Sequence, residues 1–217
     1  MCFSATASFG ASGVLLIIGA VSILKANGMR QLPFAVIPLI FAIQQFTEGL
    51  LWLSLERAYP GNEGILTRFY LFFAEVMWPV WIPLCFLWLE HNTTRRRILK
   101  VLSGAGFLVA GYMAYCLMTY EVQSLIAENH IKYFLDYPRP LHGYGNLLYG
   151  LATVVPAFVS KAKGMEIFGL LVLVSYLVSF IYFRDSLISV WCFFAAVISI
   201  SVWFLLPATS QPGEVRY

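Results

Sequence analysis

The sequence predicts an all-α polytopic membrane protein, a seven-transmembrane-helix bundle with its N-terminus outside and its C-terminus cytoplasmic. Three observations carry this. The 217 residues are 60% hydrophobic and 12% charged, with mean hydropathy +0.77, whereas a soluble domain carries about 25% charged residues. The apolar residues fall into seven blocks, near 6–26, 32–55, 67–90, 97–120, 145–160, 164–183 and 186–207. Each approaches the roughly 20 residues a helix needs to cross a ~30 Å hydrocarbon core. Basic residues crowd into alternate gaps between the blocks.

The blocks are continuous rather than alternating, which separates them from the ~10-residue strands of an outer-membrane barrel. Seven such helices use about 140 residues, so the chain reads as one domain over 1–209. The remainder, 210–217, is a polar tail with Pro212 and Gly213, of the composition expected of a disordered segment.

The first block has nothing basic before it and Lys25 after it. That polarity suits a retained helix with its N-terminus out rather than a cleaved signal peptide. The gaps after blocks one, three and five hold Lys25, Arg30, Arg95, Arg96, Arg97, Lys100, Lys161 and Lys163. In the other gaps Arg57, Arg68, Lys132, Arg139 and Arg184 face a comparable set of acids. The positive-inside rule then sets the orientation, with Arg95-Arg96-Arg97 as its strongest anchor. The net charge of +3 lies in these membrane-flanking loops and does not point to nucleic acid.

The second block carries Gln44, Gln45, Glu48 and Trp52 at i, i+1, i+4 and i+8, one face of a helix. The third carries Glu75, Trp78, Pro79, Trp81 and Pro83; its prolines are expected to kink the helix and free backbone carbonyls. At 1.5 Å per residue, Glu48 lies ~10 Å and Glu75 ~12 Å below the outer ends of their helices. Between blocks four and five, Val122, Leu125, Ile126, Ile131, Phe134 and Leu135 recur among charges. This reads as an amphipathic helix on the outer surface or capping a pocket. Block five is the shortest, with an alternative start near Tyr144 or only partial insertion as its other readings.

Several membrane chemistries are excluded. The last block has no lysine for a retinal Schiff base. His91, His130 and His142 lie at helix ends or in loops, unsuited to a haem between two helices. There is no arginine ladder, HExxH or GxSxG. What remains is the intramembrane acids, each a functional candidate because ionisable groups are costly in a bilayer. Glu48 and Glu75 are the candidate catalytic residues, with Gln44, Gln45, Trp52, Trp78 and Tyr144 as candidate ligand-binding residues. Cys2, His142, Glu48 and Glu75 form a candidate metal set, for zinc or another divalent transition metal, since thiol, imidazole and carboxylate are the usual zinc ligands. Asp185 reaches the same outer side. Cys2 has rival readings: a nucleophile, a packed thiol, or a disulfide partner of Cys116 or Cys192. Cys85 reads as packing.

The segment Met1-Cys2-Phe3-Ser4-Ala5-Thr6-Ala7-Ser8-Phe9 resembles the start of an uncharacterised bacterial family of small multi-spanning membrane proteins. So do Pro38 to Gln45 with Glu48-Gly49 and Trp52, and the run Phe72-Phe73 through Trp78-Pro79-Val80-Trp81-Ile82-Pro83. The resemblance covers about the first ninety residues. It implies a helical membrane fold and brings no activity with it. In topology alone the chain is also similar to N-out seven-helix hydrolases with zinc near the outer face; their serine, aspartate and paired-histidine pattern is absent here.

Three functions are therefore expected to compete. The first is an outward pocket binding a metal or small ligand, and, if an enzyme, a metal-dependent hydrolase of a lipid or amphiphile with a glutamate as general base. The second is a proton-coupled carrier using Glu48 and Glu75. The third is a membrane sensor or structural subunit. The expected location is the bacterial inner membrane, with the bilayer, a small molecule or lipid, and a second copy of the chain as candidate partners.

Overall fold

A computed structural model describes residues 4–56, 61–127, 129–138, 142–161 and 164–209; for 142–147 and 208 only the backbone is described. The tail 210–217 and Cys2 lie outside these residues. The chain is 80% helical. It runs through α1 (Ala5–Lys25), α2 (Leu32–Ala35), α3 (Ile37–Leu55) and α4 (Glu63–Leu71). A π-helical turn, Phe72–Met77, leads into α5 (Trp78–Leu89), followed by α6 (Thr93–Thr119). Strands β1 (Val122–Ala127) and β2 (His130–Leu135) precede α7 (His142–Val159) and α8 (Met165–Tyr182). A 3-10 turn, Arg184–Ser186, opens α9 (Leu187–Ser199), and α10 (Val202–Leu205) follows.

These make seven helical segments, as expected. Among the described residues, six are long and apolar enough to cross a membrane: Ala5–Lys25, Leu32–Leu55, Glu63–Leu89, Thr93–Thr119, Met165–Tyr182 and Arg184–Leu205. The seventh is α7, which begins at His142 rather than Gly145.

Two helices, α1 and α6, bury many small and polar residues and turn large apolar ones outward. On α1 the buried positions are Ser8, Ser12, Leu15, Gly19 and Ser22, a stripe at alternating four- and three-residue spacing that lies on α3. Ser12 Oγ donates to the Ala42 carbonyl at 2.8 Å. Gly19 lies so close to Leu39 that an added Cβ would sit 2.8 Å from its backbone nitrogen. The opposite face is apolar and bare, with Leu24 86% exposed. On α6 the same division holds: Ser103 and Gly106 face inward while Leu108 is 74% exposed. Small inward residues let helix backbones approach closely, the packing mode of helices in hydrocarbon.

Near Pro79 a backbone carbonyl is freed, as expected for a proline in the third segment. In the π-turn the Trp78 N–H reaches back to the Phe73 carbonyl, five residues earlier. The next residue, Pro79, has no N–H to offer, and the Ala74 carbonyl instead accepts a hydrogen bond from the Tyr149 hydroxyl on α7. The prolines also shape the α5–α6 contact, because Gly106 of α6 lies against the Pro79 carbonyl. A Cβ there would come within 1.9 Å of that oxygen.

One expectation fails. The stretch after α6 is a β-hairpin, not an amphipathic helix. β1 and β2 pair antiparallel, with Val122 opposite Leu135, Ser124 opposite Tyr133 and Ile126 opposite Ile131. These pairs face the bundle, while Gln123 and Phe134 form an outward pair. Val122, Leu125 and Ile126 mimic helical spacing, but the inward set is 122, 124 and 126, a period of two whose middle member is the polar Ser124. Ser124 Oγ hydrogen-bonds Thr67 Oγ1 of α4 at 2.7 Å. Ile131 is buried against Leu51 and Trp52 at the end of α3. The hairpin thus caps the end of the bundle where α3 and α6 finish and α4, α7 and α9 begin.

Candidate functional site

Beneath the hairpin is a cavity of about 360 Å³. Its walls come from six elements: Glu75 on the π-turn, Tyr112 on α6, Tyr133 on β2, Tyr149 on α7, Tyr176 on α8 and Trp191 on α9. The 3-10 turn supplies Arg184 and Asp185 at one side. A smaller apolar chamber of about 50 Å³ shares Tyr149, Trp191 and Cys192 with it and reaches Phe41 and Trp78.

Glu75 is buried in the cavity wall. The Tyr137 hydroxyl donates to its Oε2 at 2.9 Å. Burial, and then the Glu75 carboxylate beside it, push the Tyr137 hydroxyl above the ordinary tyrosine range, so it keeps its proton and stays a donor.

Glu48 is buried one layer deeper. Its Oε1 accepts a hydrogen bond from Ser189 of α9, and Gln45 and Tyr70 adjoin it. The Tyr70 and Tyr133 rings stack with centroids 5.2 Å apart and planes 4° from parallel. Burial, then Glu48 and Cys192, push the Tyr133 hydroxyl well above the ordinary tyrosine range. Tyr133 and Cys192 line the cavity and lie near Glu48. Cys192 is also within electrostatic reach of Glu75.

The other expected residues divide. Gln44 Oε1 accepts from the Trp78 indole N–H at 2.8 Å, and Trp78 stacks on Phe41 with centroids 4.0 Å apart. This pair joins α3 to α5 beside the smaller chamber. Trp52 packs under the hairpin with Leu51 and Ile131, away from the cavity. Asp185 reaches the cavity mouth, where it pairs with Lys132 at 3.0 Å. The side chains of Tyr144 and His142 and the whole of Cys2 lie outside the described residues. Among the described residues no three His, Cys, Asp or Glu side chains come close enough to hold a metal. Cys85, Cys116 and Cys192 are buried free thiols.

The residues the sequence did not single out are the aromatic ones. Tyr176 and Tyr149 both meet Trp191 edge-on, at 4.9 and 5.7 Å, and form one continuous wall. The available signal was weak: each lies toward the predicted outer end of its helix, where aromatic residues are common as interface anchors.

Among the described residues, one buried polar atom of the cavity wall has no hydrogen-bond partner, the Tyr133 hydroxyl. Such groups are rare in native interiors and point to water or another molecule in the site.

A family model matches residues 1–216. The chain belongs to that family, a family of unknown function (DUF6629). The match extends over the whole chain, beyond the ninety residues whose wording carries the resemblance. No curated protein and no solved structure matches the chain.

Proposed function

We propose that this is an integral membrane protein that binds a small molecule in the cavity under the hairpin, from the side of the membrane opposite the cytoplasm. The bare apolar faces of α1 and α6 support insertion, because an apolar surface of that extent is not tolerated in water. The basic residues of the loops after α1, α5 and α7 lie at the end of the bundle away from the hairpin, which supports a cytoplasmic location for that end. By the same rule the proposed location is the bacterial inner membrane.

The observation that carries the binding reading is the cavity itself: about 360 Å³, within the usual size of small-molecule sites, with a buried carboxylate and several tyrosines converging on it. Binding is preferred to metal-assisted hydrolysis because no three His, Cys, Asp or Glu side chains among the described residues are placed to share a metal ion. The carrier reading keeps one specific support. Glu48 and Glu75 are buried with no Lys or Arg in ion-pair contact among the described residues, as expected of proton sites.

The experiment is a fragment screen by thermal shift on the chain in lipid nanodiscs, beside a Gly150→Phe variant. Gly150 lines the cavity, and an added Cβ there meets nothing within 4 Å, so phenylalanine fills the space. Fragments are expected to raise the Tm of the wild type and not of the variant. Fragments that shift both equally, or a screen with no hits, contradict the binding reading.

A further inference from the structure

We propose that the molecule this cavity takes is an organic cation, a protonated or quaternary ammonium compound. The inference rests on the binding reading above and names the ligand's chemical class.

Charge is the first argument. Glu75 lines the cavity with one carboxylate oxygen held by Tyr137, and Glu48 is within electrostatic reach of Tyr133 and Cys192 in the cavity wall. Two nearby cations are engaged elsewhere, and a third, Arg184, stands at the rim. Lys132 pairs with Asp185 at 3.0 Å. Arg68 donates to the carbonyls of Leu117 and Tyr120 at the end of α6. Arg184, at the cavity mouth, has its guanidinium 5.7 Å from the Phe180 ring centre. A cationic ligand supplies Glu75 with the counter-charge that no Lys or Arg gives it among the described residues.

The wall is the second argument. Tyr112, Tyr133, Tyr149, Tyr176 and Trp191 line the space around that acid. Aromatic faces attract an ammonium through the ring quadrupole, most strongly where water is excluded. They offer little to a hard metal ion, which requires six or more oxygen ligands. The neighbouring chamber of about 50 Å³, lined by Ile37, Phe41 and Ile82 among others, accepts a short alkyl arm. Acid, aromatic wall and apolar recess together suit an ammonium group carried on a small carbon skeleton.

The test is calorimetric titration of the full chain in nanodiscs with choline and with 3,3-dimethylbutan-1-ol, which has the same shape and no charge. Choline is expected to bind at least about tenfold tighter than the alcohol, the scale of one desolvated cation–π or charge contact. Glu75→Gln and Trp191→Leu should each weaken choline about tenfold and weaken the alcohol by much less. Equal binding of the two compounds, or choline affinity unmoved in both variants, overturns the proposal. So does a wild type that binds no choline. If both compounds bind equally and Gly150→Phe abolishes both, the cavity still binds ligands and only the preference for a cation falls.

Discussion

The Tyr137 hydroxyl donates to Glu75 Oε2 at 2.9 Å, across 62 residues of chain. The bond ties the exit of the hairpin to the π-turn, the one place where the third segment departs from α-helical spacing. It joins the cap of the cavity to its acidic wall. The second tie is the Tyr149 bond to the Ala74 carbonyl, one residue earlier on the same turn.

Tyr137→Phe removes the donor and leaves a buried carboxylate oxygen unpaired. The expected loss is about 1–3 kcal/mol, read as a lower midpoint in detergent-induced unfolding. Limited proteolysis should at the same time cut the hairpin faster. An unchanged midpoint and digestion rate would mean that the bond does not hold the cap.

Gly106→Ala places a methyl group against the Pro79 carbonyl, where a backbone oxygen cannot rotate away. Overpacking of this kind costs typically 1–3 kcal/mol. Gly104→Ala, two residues earlier, meets nothing within 4 Å and should be neutral or slightly stabilising, since alanine is the better helix former. The paired unfolding curves separate close approach from helix propensity.

Most of the helical architecture was legible in the sequence, because hydrocarbon-length apolar runs such as 6–26 and 186–207 have few alternative structures. A freed carbonyl near Pro79 was legible from the proline itself, whereas the π-turn before it was not. Glu48 and Glu75 were legible as a pair because two acids at similar helical depth have little choice but to face the interior. The hairpin was not legible. Its inward face includes Ser124, so the strand alternation is broken by a polar residue while the helical spacing of Val122, Leu125 and Ile126 remains intact. The aromatic wall was hidden for another reason. Tyr112, Tyr149, Tyr176 and Trp191 come from four different helices, and only helix packing brings them to one cavity.

Ser189 donates to Glu48, which gives the deeper acid its own test. Ser189→Ala removes the donor and should cost about 1–3 kcal/mol in the same unfolding assay. Glu48→Gln keeps an acceptor oxygen and should cost less. In proteoliposomes under a pH gradient, the binding reading predicts that Glu48→Gln leaves proton flux unchanged. A proton flux in the wild type that this variant abolishes would favour the carrier.

Arg68 reaches the carbonyls of Leu117 and Tyr120 at the C-terminal end of α6, where a cation offsets both the unpaired carbonyls and the helix dipole. Arg68→Met keeps much of the side-chain volume and removes both bonds. It should lower stability by about 1–2 kcal/mol and increase amide hydrogen exchange over the last turn of α6 before the rest of the helix. Uniform exchange along α6 would deny Arg68 a capping role.

The central claim is a membrane bundle whose hairpin-capped cavity opens away from the cytoplasm, and cysteine labelling in intact cells tests it most directly. Gln123 on the outward face of β1 and Lys100 near the start of α6 are both exposed, at opposite ends of the bundle. The account predicts that a membrane-impermeant maleimide labels Gln123→Cys in intact cells and labels Lys100→Cys only after the membrane is opened. Labelling of Lys100→Cys but not Gln123→Cys in intact cells, or recovery of the protein in the soluble fraction, would contradict it.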